Sequence, residues 1–198
     1  MKLPNNYAEI PESTDIGARP APGAYICKVV RVQDAISKSD RAMLIIDFDI
    51  DCGPFANFFA NENDARSERN LDQRWLRFYQ VYDGKSVGLF KKLLKDFDRS
   101  NDSFSAPEKG GVFDEQSLIG LRLGLLCDGE EYEYNNKIFM SLKPKYAFDT
   151  QQVIKGNVPQ PRIRGVDGVW RDANEPRPPL TKPGTNELAH VNDIDIPF

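Results

Sequence analysis

The chain has 198 residues, room for one domain with extensions or for two small domains. Its 40% hydrophobic content supports a packed core beside a polar tail, and its net charge of -4 excludes a uniformly basic, DNA-coating protein. It holds no apolar run of the roughly 18 residues a membrane span needs, and its start, "MKLPNNYAEIPEST", lacks the apolar stretch of a secretory signal, so a cytoplasmic protein is expected. Cys27, Cys52 and Cys127 lie far apart with no CxxC pair, and read as reduced thiols, not as disulfides or zinc ligands. The one histidine, His190, falls in the tail. Histidine-dependent nucleophilic catalysis and His-rich metal sites are therefore excluded, leaving carboxylates as the only catalytic candidates; no cofactor is expected.

Along the chain, residues 1–22 hold Pro4, Pro11, Pro20 and Pro22 among few apolar residues and read as an irregular lead-in. In "GAYICKVVRV", Tyr25, Cys27 and Val29 fall on one face, with Arg31 continuing the row, and Ile26, Val30 and Val32 fall on the other, a β-strand signal. After the polar turn 36–41, "MLIIDFDID" alternates Ile46, Phe48 and Ile50 with Asp47, Asp49 and Asp51. A turn at "DCGP" leads to "FANFFA" (55–60), read as a third strand of an antiparallel meander. Val87, Phe90, Leu93, Leu94 and Phe97 recur at helical spacing opposite Lys91, Lys92 and Lys95, with Ser86 as the N-cap. "LIGLRLGLLCDGEEYEY" and "KIFMSLKPKYAF" read as two more strands joined by a tight turn at Asn135-Asn136. Three strands, a helix and two strands are the order of an OB-fold, a five-stranded Greek-key barrel, so a mainly β domain over 23–147 is expected. Residues 148–198 carry 7 of the 14 prolines and no apolar periodicity, so 148–192 is expected to be a disordered linker ending in an acidic tip at 193–198.

Charge is unevenly distributed. Residues 66–95 hold eight basic residues against three acidic ones, whereas the last twelve hold Glu187, Asp193 and Asp195 and no Lys or Arg. The basic stretch is interleaved with rings: Arg66, Arg69, Arg74, Arg77 and Lys85 lie among Trp75, Phe78, Tyr79 and Tyr82. Cations that track phosphates and flat rings that stack on unpaired bases are what single-stranded nucleic acid requires, and such stacking is indifferent to sequence. The spacing of the four rings equally fits one helix face, which would make them a packing stripe. Lys91, Lys92 and Lys95 read as a solvated helix face. Asp47, Asp49 and Asp51 are the one cluster that could hold a catalytic metal for a nuclease, but three carboxylates in line along a strand, about 6–7 Å apart, cannot all reach one ion. A solvated outer face is the expected alternative.

The chain ends Asp193-Ile194-Asp195-Ile196-Pro197-Phe198, an apolar anchor with an acidic collar. After a Pro-rich tail on an OB-like domain, this end resembles that of the bacterial single-stranded DNA-binding protein (SSB) family, which finishes in an acidic run followed by Ile-Pro-Phe. Ile194 departs from the pattern, standing where an Asp is common. Within 20–147, Gly23, Tyr25, Ser37-Lys38-Ser39, Asp49-Ile50 and Gly53 are similar to a phage- and prophage-encoded SSB-like family. The resemblance implies non-enzymatic, sequence-independent binding and protection of single-stranded DNA in replication or recombination, in the cytoplasm of a bacterial host. It further implies that Asp193, Asp195, Ile196, Pro197 and Phe198 recruit replication, recombination or repair enzymes. An annealing or mediator protein, a metal-dependent nuclease using Asp47, Asp49 and Asp51, and a pure adaptor acting through its tail are the alternatives. A homo-oligomer is compatible with each.

Overall fold

The computed structural model describes residues 19–135 and 137–175. The chain folds around one seven-stranded sheet, and strands outweigh helices. Strands β1 (Gly23–Ile36) and β2 (Ala42–Ile50) pair antiparallel across the polar turn, where Asp40 takes a left-handed φ of 56°. On β2 the alternation holds: Ile46, Phe48 and Ile50 are fully buried in the core. On β1 it does not hold throughout. A bulge between Val29 and Arg31 inserts one residue, so Val32 joins Cys27 and Val29 inside while Arg31 turns to the outer face.

The expected third strand at 55–60 is absent. These residues form a turn that runs into helix α1 (Phe58–Ser67), with Asn57 at φ 58°. Asp49 explains the difference: its carboxylate accepts from the Phe59 and Ala60 amides at 3.0 and 2.9 Å, a cap supplied from β2 that starts a helix where a Phe-rich string suggests a strand. Strand β3 is instead Leu76–Val81, antiparallel to β2, with Leu76 and Gln80 buried and Arg77 and Tyr79 facing out. The ring-bearing stretch is therefore a strand, not a helix stripe.

Helix α2 (Val87–Ser100) buries Leu93, Leu94 and Phe97 against the sheet. Ser86 stands at its N-cap position without capping: a 3-10 turn, Gly84–Ser86, leads straight into the helix, and the Ser86 hydroxyl accepts from Arg41 at 3.2 Å. Strands β4 (Arg122–Tyr134) and β5 (Lys137–Phe148) form the expected hairpin, with Asn135 at φ 51°; Asn136 lies outside the described residues.

Residues 148–175 are ordered, against the expectation of a disordered linker from 148. Helix α3 (Thr150–Ile154) is capped by Asp149, whose side chain accepts from the Gln152 amide at 2.9 Å. Strand β6 (Arg162–Arg164) runs parallel to β4 at Gly129 and Glu130, and β7 (Trp170–Asp172) closes an antiparallel hairpin on β6. Strands of three residues are too short to show periodicity, and their order comes from the β4 edge they complete. The tip residues Asp193, Asp195, Ile196, Pro197 and Phe198 lie outside the described residues.

The sheet order is β3-β2-β1-β4-β6-β7, with β5 also on β4. The chain thus crosses from β3, through α2, to the far side of β1. Its last long strand, β5, then returns to lie beside β3. Among the described residues no ladder joins β3 to β5, and that unpaired seam positions the candidate site.

Candidate nucleic-acid interface

Residues 73–77 of the β3 approach share one groove with 140–143 of β5, and residues 78–81 share a second with 144–148, so the two strands run in the same direction along the seam. Pro144, which has no amide hydrogen, and a register shift beside it interrupt β5 midway, opposing a ladder there.

The first groove, about 650 Å³, is lined by Arg74, Trp75 and Arg77, by Tyr132, Lys143, Glu130 and Glu131 of the β4–β5 hairpin, and by Phe58, Phe59 and Glu62 of α1. The approach to β3 is held from α1: the Asn63 amide donates to the Arg74 carbonyl at 2.8 Å, and its oxygen accepts the Arg74 amide at 2.7 Å. This leaves the Arg74 side chain exposed. Several other cations are paired, Arg19 with Glu62 at 2.8 Å and Lys143 with Glu130 at 3.5 Å.

The second groove, about 530 Å³, holds Tyr79 of β3, Leu89 and Lys92 of α2, and Pro144, Lys145, Tyr146 and Phe148 of β5. Tyr79 is 56% exposed and Tyr146 46%. Lys92 lies 5.4 Å from the Phe148 ring centroid and pairs with buried Asp96 at 2.5 Å.

The nine residues named from sequence do not form one patch. Arg74, Trp75, Arg77 and Tyr79 line the seam. Phe78 borders the second groove while packing half-buried against the core. Tyr82 turns away, packing on Phe90 at 5.5 Å and donating its hydroxyl to Asp34 at 2.8 Å, a bond that raises its pKa. Lys85 is exposed in the 3-10 turn before α2. Arg66, in the last turn of α1, donates to the Asp72 carbonyl at 2.5 Å, and Arg69 is exposed in the turn that follows. Lys91, Lys92 and Lys95 are exposed on α2.

Sequence reasoning missed the rings of the β4–β5 hairpin. Tyr132 stacks across the strands on Phe139 at 5.8 Å and 24°, Tyr134 lies 6.4 Å from Phe139, and all three are at least 41% exposed. The signal was the alternation in "EEYEY", which puts Tyr132 and Tyr134 on one face, but Glu130, Glu131 and Glu133 beside them made the stretch read as an ordinary acidic strand.

The aspartate row is not the solvated face expected from its alternation. Asp47, 1% exposed, lies between Arg31 and Arg77, Asp49 caps α1, and Asp51 pairs with Arg122 at 2.7 Å. Each carboxylate is committed to a different partner. The Asp47 hydrogen bond also pushes the Arg77 guanidinium pKa further up, so its charge is permanent. Among the described residues no helix is long and apolar enough to cross a membrane.

Comparison with protein-family models and with curated proteins finds no match for this chain.

Proposed function

We propose that this chain is a sequence-independent single-stranded DNA-binding protein built on an OB-fold, acting in DNA replication or recombination. The fold reading is supported by the strand connections: β1-β2-β3 as an antiparallel meander, α2 before the fourth strand, β4 on β1, and β5 returned beside β3. The observation that carries the functional reading is the seam itself. In its two grooves exposed rings (Tyr79, Tyr146, Tyr132) stand beside cations (Arg74, Arg77, Lys145), with Glu62, Glu130 and Glu131 also lining the first. Unpaired bases present flat faces and a flexible phosphate chain, and a groove of this composition meets both without reading base edges. A rigid duplex presents no free base faces.

In this reading the acidic tip, with Asp193, Asp195, Ile196, Pro197 and Phe198, recruits partner enzymes, as the resemblance of its sequence implies. The groove is tested by Tyr79→Ala and Tyr146→Ala in the full chain. Each ring that stacks on a base contributes about 1–3 kcal/mol. Both variants should keep the wild-type melting curve and bind oligo(dT) more weakly by that amount. Undiminished binding by both would remove the seam from the DNA path.

A further inference from the structure

Arg31, Asp47 and Arg77 are direct cross-strand neighbours on β1, β2 and β3, so their side chains share the outer face of the sheet. Arg31 donates to Asp47 Oδ2 through Nε at 2.9 Å and Nη2 at 2.5 Å. Arg77 donates through Nε to Oδ1 at 2.7 Å and through Nη2 to Oδ2 at 3.1 Å. The carboxylate is 1% exposed, whereas the two arginine side chains are 44% and 40% exposed. One buried negative charge thus holds two positive charges in fixed orientation, for a net of +1 at the surface. Each guanidinium spends two of its five N–H donors on Asp47; Arg77 also bonds the Tyr79 side chain, and both arginines keep donors for a ligand.

Two features point to a ligand. First, Arg31 reaches this face only through the β1 bulge; regular alternation would have sent it to the face of Cys27 and Val29. Bulges are over-represented at sheet edges, at barrel rims and beside active sites, where they re-aim a side chain. Second, the next outward row, Gln33, Ile45 and Tyr79, carries an exposed ring two residues along β3, about 7 Å away by strand rise. A stacking surface and a double cation stand side by side, within the reach of one nucleotide.

Resting on the single-strand reading, we propose that Arg31 and Arg77 form a preorganised clamp for one backbone phosphate, with Asp47 as the residue that positions both. This extends the DNA path from the β3–β5 seam onto the outer face of β1-β2-β3 and adds Arg31 to it. The clamp cost of fixing two long side chains is met in the free protein, so less is lost on binding.

The test is oligo(dT) binding by the full chain over a salt series, for wild type, Arg31→Gln, Arg77→Gln, Asp47→Asn and the control Lys155→Ala, each checked by thermal melting. The clamp predicts that Arg31→Gln and Arg77→Gln each bind about tenfold more weakly, or about 1.4 kcal/mol. Each should also flatten the log K–log salt slope by about 0.7. Asp47→Asn separates positioning from neutralisation. If Asp47 positions the arginines, binding weakens although the protein gains a positive charge. If it only neutralises them, binding tightens, and the positioning role is overturned. Arg31→Gln with wild-type affinity and slope overturns the clamp while leaving the single-strand reading intact. Should Asp47→Asn fail to fold, Arg31→Gln decides alone, because its half-exposed side chain leaves the core untouched. Absence of oligo(dT) binding by the wild-type chain removes the reading and the clamp together.

Discussion

At the scale of single residues, the carboxylates of β2 have the largest effects. Asp49 is 5% exposed and, among the described residues, its side chain alone caps the start of α1, since Asn57 makes no side-chain cap of its own. Asp49→Ala should therefore cost about 1–2 kcal/mol, read as a lower urea midpoint with an unchanged m-value. The thiols make a second residue-scale prediction. Cys27 and Cys127 are fully buried, and burial raises both thiols, Cys127 to about 12 and Cys27 well above its ordinary value. Cys52 is exposed. A thiol reagent acts on the thiolate, so the native chain at pH 8 should react at Cys52 alone, and at all three cysteines in denaturant. Rapid modification of three thiols in the native chain would contradict the packing of β1 on β4.

At the scale of elements, close approach does what propensity does not. A Cβ on Gly124 of β4 would come within 2.4 Å of Val153 Cγ2 and 3.3 Å of the Asp149 carbonyl oxygen, so only glycine lets α3 dock on this strand. Gly124→Ala should destabilise the fold by about 1–3 kcal/mol, and melting of the full chain would measure it. This scale also separates what the sequence reveals from what it hides. β1, β2, α2, β4 and β5 were legible because each is long enough for its period of 2 or 3.6 to repeat. The third strand was misplaced because "FANFFA" has strand composition, whereas its conformation is dictated by Asp49, on a different element. Order at 150–172 was hidden because α3, β6 and β7 are short and take their stability from β4. The buried state of Asp47 was likewise illegible within β2. Alternation correctly put it on the outer face, but its arginine partners come from β1 and β3, one of them through a bulge. Within the candidate site, Arg74, Trp75, Arg77 and Tyr79 were legible as a basic, ring-bearing string. Tyr132, Phe139 and Tyr146 were not, because only the return of β5 alongside β3 brings that hairpin to the seam.

At the scale of the whole molecule, a net charge of -4 coexists with a seam that presents Arg74, Arg77, Lys143 and Lys145. Asp47, Asp51 and Asp96 are spent on internal ion pairs, while Arg74, Tyr79, Lys145 and Tyr146 remain exposed to solvent. The central claim is that this seam takes single strands and not duplexes. The most direct measurement is fluorescence anisotropy of labelled oligo(dT) and of a duplex of equal length, each titrated with the full chain across a salt series. The account predicts tight binding to oligo(dT), much weaker binding to the duplex, and a log K–log salt slope whose magnitude is about 0.7 for each phosphate held. Equal affinity for both forms, or no binding to oligo(dT) at low salt, would contradict it.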